Sequence, residues 1–178
     1  MHLWRLTLMI IIVVGGIAVL ASYAVGAINS PGKAAALWGG VPERYLPLYT
    51  VSMLLSALSY FFFTYLILFR VNPTSAQLAW GADYRWFIVI YVAMLLPSSL
   101  WMPLTIRMVS YPSPAIWLAI RLVLALVGLA SVALVISLMT LMPRPEGWLY
   151  TVAVIGSIIY CFHCAVLDGI VWPALFPR

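Results

Sequence analysis

Two ionisable residues, His163 and Asp168, stand in the last apolar stretch of this 178-residue chain. A histidine and a carboxylate can share a proton or hold a polar ligand. On an α-helix five residues turn through about 140°, so this spacing sets the two on different faces and predicts no acid–base dyad. Cys161 and Cys164, three apart, share a helical face. A zinc site wants four ligands and no second cysteine pair exists, so the reading is two packed thiols beside a hydrogen-bonded histidine. A haem held between two histidines is not supported either, because His2 and His163 fall towards opposite membrane sides.

A second charge joins Asp168. Arg121 lies six residues after Ala115, about 9 Å into its helix, and Asp168 lies four before Trp172, about 6 Å in. The two sit at similar depth near the same side. Unpaired charge is costly in hydrocarbon, and Asp is too short to reach back to the headgroups, so Arg121 and Asp168 are expected to pair or to face one polar cavity. The alternative for Arg121 is to snorkel to the interface. Pro97 and Pro103 flank Ser98, Ser99 and Trp101 in another span. They remove backbone donors and should bend or open the helix, with Ser98 and Ser99 placed to serve the freed carbonyls. A proline kink that only shapes packing explains the same residues. Ser52, Ser56 and Ser59 fall on one helical face and read as small residues admitting a close neighbour, as do Gly15 and Gly16. Tyr60–Phe63, Tyr65 and Phe69 read as lipid contact and interfacial belt. No nucleophile–base pair, phosphate loop or carboxylate cluster is visible, which makes an enzyme the less favoured class.

Those residues need elements to hold them. Of the chain, 66% is apolar and 7% is Asp, Glu, Lys or Arg, against about 25% in an ordinary soluble domain. Nine basic and four acidic residues cannot cover a soluble surface, and the mean hydropathy is +1.12. Soluble enzymes and disordered chains are excluded. Five apolar stretches, at about 6–28, 46–69, 86–106, 115–142 and 148–176, each supply the roughly 20 residues that cross hydrocarbon. The expected fold is all-α, five transmembrane helices in one bundle over 1–178. Alternating strands of a β-barrel are missing. The amino-terminal stretch has features of a signal peptide, but it is longer than a usual signal core and reads as a transmembrane helix. The net charge of +5 is scattered rather than clustered, so the cations are expected at lipid headgroups and nucleic acid is not expected as a partner. Five spans put the termini on opposite sides, here A (amino-terminal) and B. Arg5, Arg70, Arg85 and Arg144 fall on A; Lys33, Arg44, Arg107 and Arg178 fall on B. That tie leaves the orientation open. No internal repeat supports an inverted-repeat transporter.

Two motifs carry a resemblance. Trp101–Met102–Pro103–Leu104 in span three and Ala165–Val166–Leu167–Asp168–Gly169–Ile170–Val171–Trp172 in span five are similar to elements of the tryptophan-rich sensory protein and translocator protein family (TspO/MBR). That family has five transmembrane helices, a Trp-x-Pro element in the third and an Ala-x-Leu-Asn-x-x-x-Trp pattern in the fifth. Asp168 stands where the family has Asn, and Arg121 falls near a position where the family has an acidic residue. The family's first-loop signature, Trp-Tyr and Lys-Pro-x-Trp-x-Pro, is not present here; Trp38–Gly39–Gly40–Val41–Pro42 is at most a remnant of it. The resemblance implies a cavity, capped by the first loop, that binds porphyrins or sterol-like molecules. Its residues here would be Trp101, Pro97, Pro103, Arg121 and Asp168, with Trp38 and Pro42 in the lid.

The sequence therefore predicts a multi-pass membrane protein that binds an amphiphilic small molecule, tetrapyrrole or sterol-like, in a helix-bundle cavity. The alternative is a structural or accessory subunit of a larger membrane complex; a homodimer fits as well. A lipid-modifying enzyme using His163 or Asp168 is a third reading. No cofactor is identified, nor which membrane the protein occupies.

Overall fold

The computed structural model describes residues 2–29 and 37–177. Pro31 and Lys33 of the first loop, and Arg178, lie outside the described residues. Five helices are long and apolar enough to cross a membrane, and no strand occurs among the described residues. They are α1 (Leu3–Asn29), α2 (Leu46–Tyr65), α3 (Arg85–Ser110), α4 (Pro114–Thr140) and α5 (Trp148–Cys161). Two of them continue in a wider winding. A π-helical turn, Leu66–Arg70, extends α2, and a π-helical segment, Phe162–Val171, extends α5 into the short terminal turn Trp172–Leu175.

Local chemistry explains the boundaries. Pro47 and Pro114 sit in the first turns of α2 and α4, where a missing N–H leaves no hydrogen bond unmade. α4 ends at Thr140 rather than at 142, because Leu141 is already extended and Met142 turns to pair with Gln77. Met142 and Gln77 exchange both backbone hydrogen bonds, at 2.8 and 2.9 Å, which stitches the connection before α3 to the one after α4 on side A. α3 runs unbroken past Pro97 and Pro103. The expected rescue by the serines takes another form. Ser98 Oγ donates to Met94 O at 2.6 Å and Ser99 Oγ to Leu96 O at 2.7 Å, so neither serves Ala93 O, the carbonyl that Pro97 leaves without its helical donor.

The helices form a row, α1–α3–α4–α5–α2, each packed on the next. On side A the row closes, because the π turn after α2 returns to α1. There Arg5 donates to Val71 O at 2.9 Å, Thr64 and Tyr91 share a buried hydroxyl–hydroxyl bond of 2.7 Å, and Tyr84 donates to Ile67 O at 3.1 Å. Leu8, Phe63, Leu66, Phe87, Tyr91 and Leu134 fill this half of the core. A smaller cluster near side B gathers Tyr49, Ile120, Leu124, Leu167, Trp172 and Phe176. α4 is the central helix, with 50% of its most apolar stretch buried, and α1 is peripheral, with 6%.

Gly40 seals the side-B end. A Cβ there would overlap the carbonyl oxygen of Leu175, so only glycine lets the first loop lie against the end of the fifth span.

Candidate functional site

The π segment rewrites the geometry of the fifth span. Its backbone bonds run from residue i to i+5, as in Trp172 N–H to Leu167 O. Residues five apart are then stacked rather than turned away. His163 Nε2 consequently faces Asp168 Oδ2 at 3.5 Å. The sequence expectation that these two cannot share a face is thus corrected, because it assumed α-helical winding.

The other ring nitrogen reaches a second helix. His163 Nδ1 lies 3.1 Å from Ser52 Oγ of α2. One tautomer satisfies both contacts: with the proton on Nε2, the ring points an N–H at the carboxylate and accepts the Ser52 hydroxyl at Nδ1. A hydroxyl–imidazole–carboxylate chain, Ser52–His163–Asp168, therefore runs from α2 into the π segment, a juxtaposition that the sequence reading does not contain. Ser52 is buried, the His163 side chain is 13% exposed and that of Asp168 is 37% exposed. One turn before Ser52, Tyr49 donates its hydroxyl to Leu167 O at 3.2 Å and ties α2 to the π segment. Tyr23 of α1 and Tyr49 both lie within electrostatic range of Asp168.

Aromatic rings wall the array towards side B. Trp101 of α3 contacts Tyr23 at 5.9 Å and Trp172 at 5.7 Å between ring centroids. Trp172 also packs on Phe176 at 4.8 Å, and its Nε1 donates to Leu37 O of the first loop at 3.0 Å. Trp38 meets Tyr49 edge-on at 6.4 Å. The Nε1 donor of Trp101 is buried and has no partner among the described residues.

The expected site residues divide. Trp101, Asp168 and Trp38 converge with Trp172 and Tyr23 between them. Pro97 is buried in α3 four residues from Trp101, whereas Pro103 and Pro42 are exposed. Arg121 does not pair with Asp168: it is exposed, one position past fully buried Ile120, and the ionic neighbour of Asp168 among the described residues is His163. Equal depth had suggested that pair, but depth says nothing about rotation around a helix.

Sequence reasoning missed Ser52, Tyr23, Tyr49 and Trp172 as parts of this site. It treated Ser52, Ser56 and Ser59 alike, and the reading holds for Ser59, which a Cβ on Gly156 would crowd at 3.1 Å. Ser56 is buried with no hydrogen-bond partner among the described residues. Both cysteines are free thiols, and no group of three or more metal-ligating side chains occurs among the described residues. On side A a separate open groove of about 660 Å³ runs between α2 and α5, lined by Phe61, Tyr65, Phe69, Arg70 and Trp148. Part of the aromatic belt does face outward there, at Phe61, Tyr65 and Phe69, but Phe63 is fully buried.

Compared with protein families, with characterised proteins and with solved structures, the chain matches none.

Proposed function

We propose that this five-helix membrane protein binds an amphiphilic small molecule between α1, α3 and the π segment, with the first loop as its cap. The observation that carries the reading is the Trp101 indole N–H, buried and without a partner among the described residues, beside two further aromatic rings at the end of the bundle that holds the Asp168 carboxylate. Apolar aromatic surroundings with a few convergent polar groups suit a flat amphiphile. A remote kinship to the TspO/MBR family fits the same reading, since Trp101, Asp168 and Trp172 all come from the resembling motifs. Arg121 stands apart, so the polar pole consists of Asp168, His163 and Ser52. That chemistry favours a hydroxyl-bearing, sterol-like ligand over a tetrapyrrole carboxylate, which Asp168 would repel.

Quenching of tryptophan fluorescence by a nitroxide-labelled sterol, in purified protein, tests the reading. Saturable quenching should weaken in Trp101→Phe and Asp168→Asn and persist in Arg121→Gln. Equal quenching in all four proteins would reduce the effect to partitioning into detergent.

A second reading, an accessory subunit, draws support from α1. Its outer face is exposed along Ile10, Val13, Val14, Ile17 and Leu20, and a Cβ on Gly16 would meet open space. Recovery of the protein from mild detergent in fixed stoichiometry with other membrane proteins, and without sterol-dependent quenching, would favour it.

A further inference from the structure

We infer that Ser52 is a nucleophile, activated by His163 and positioned through Asp168, and that the site performs acyl transfer from a lipid-borne ester to water. The inference rests on the ligand site above only for where the substrate's apolar body lies.

Four observations carry it. First, the Ser52 hydroxyl has an unusual partner. Thr50, Ser98, Thr105, Ser131 and Ser157 all donate to carbonyls of their own helix, whereas Ser52 turns across to a histidine nitrogen at 3.1 Å. Second, a carboxylate stands behind the base, with Asp168 Oδ2 3.5 Å from His163 Nε2. Third, a donor is available for the developing oxyanion. Backbone N–H groups inside α2 are used by the helix, so a side chain must supply it. Ser56 stands one turn from Ser52 on the same face, about 5–6 Å away between Cβ atoms. Its hydroxyl is buried and unpartnered among the described residues. A carbonyl attacked by Ser52 could place its oxygen between the two. Fourth, the array lies inside the apolar span of α2, a setting that suits an ester carried by a lipid rather than a water-soluble one.

The chemistry balances without a cofactor. Ser52 Oγ bonds to the acyl carbon while its proton passes to His163 Nδ1, and Ser56 donates to the oxyanion. Collapse breaks the acyl–oxygen bond, and the departing alcohol takes the proton from His163. Water then repeats the two steps, releasing the carboxylic acid and restoring Ser52. His163 works as base and then as acid, and Asp168 holds its ring and balances its charge.

A fluorophosphonate probe tests this directly, because attack by an activated serine expels fluoride and leaves a stable adduct. The full-length protein in lipid nanodiscs should be labelled, with the added mass located by peptide sequencing on Ser52. Ser52→Ala should abolish the label. His163→Gln should slow it by about 10²-fold or more. Asp168→Asn should slow it as well, and Asp168→Glu should restore part of the rate, a recovery that a merely structural carboxylate would not produce. The adduct forms whether or not sterols bind, so loss of the binding reading leaves this one standing. Folded wild-type protein that takes no label, or a label that persists in Ser52→Ala, would overturn the inference.

Discussion

His163 Nε2 and Asp168 Oδ2 stand 3.5 Å apart on a single helix, although α-helical winding would turn them about 140° from each other. The π segment makes the contact, and the contact offsets part of the cost of holding two polar groups in an apolar span.

That relationship predicts a coupling between these two residues and none with Arg121. Thermal unfolding in detergent of His163→Ala, Asp168→Ala and the double variant should be non-additive by about 0.5–1 kcal/mol, the lower part of the range for contacting residues. Arg121→Met removes an exposed charge from an apolar span, so it should not destabilise the protein and should add independently to Asp168→Ala. Non-additivity with Arg121 instead would restore the pair suggested by depth.

The two cores should also respond separately. Tyr91→Phe on side A leaves the buried Thr64 hydroxyl without its 2.7 Å partner, for a loss of about 1 kcal/mol. Removing both hydroxyls with Thr64→Val and Tyr91→Phe should cost less than the two single losses together. Sterol quenching near side B should stay at the wild-type level in Tyr91→Phe, and a parallel loss would show that the two ends are not independent.

Glycine substitutions offer a pair of opposite sign. Gly40→Ala puts a methyl group into the Leu175 carbonyl and should destabilise the loop–helix contact by about 1–3 kcal/mol. Gly16→Ala adds its methyl to open space inside a helix and should stabilise by about 0.5–1 kcal/mol. Melting temperatures in one detergent decide both signs. A neutral Gly40→Ala would mean that the loop does not lie where the structure places it.

One pH effect has a definite sign outside the membrane. Hydrogen bonds from the Arg85 side chain, and then from its backbone N–H, hold the Asp83 carboxyl below its ordinary range. A group lowered on folding contributes stability above its unfolded value, about 3.9, and loses it as the pH falls through the lower folded value. Asp83→Asn should therefore remove part of the acid sensitivity below about pH 4. Since the pair is largely exposed, with side chains 46% and 62% accessible, the difference should be small and should shrink in high salt. Identical acid profiles for Asp83→Asn and wild type at low salt would contradict this.

Much of the architecture was legible because it depends on sums along the chain. Crossing a membrane requires a long run of apolar residues, and all five runs became helices close to their expected limits. Depth was legible in the same way, through the rise per residue, which is why Trp101, Trp38 and Asp168 were assigned to one end of the bundle and are found together there. Rotation was not. In a soluble helix, apolar periodicity marks the inward face, but lipid and core are equally apolar, so nothing in the run around Arg121 showed that it points away while Ile120 points in. The π winding was hidden for a related reason. Backbone hydrogen bonds of i+4 and i+5 type satisfy the same groups, and packing between helices decides which forms. One sign was present: His163 and Asp168, five apart, are two polar residues of one apolar span, and a wider turn brings them together. The partner of His163 was beyond reach altogether. Ser52 is 111 residues away, and only the docking of α2 on α5 brings its hydroxyl to the ring.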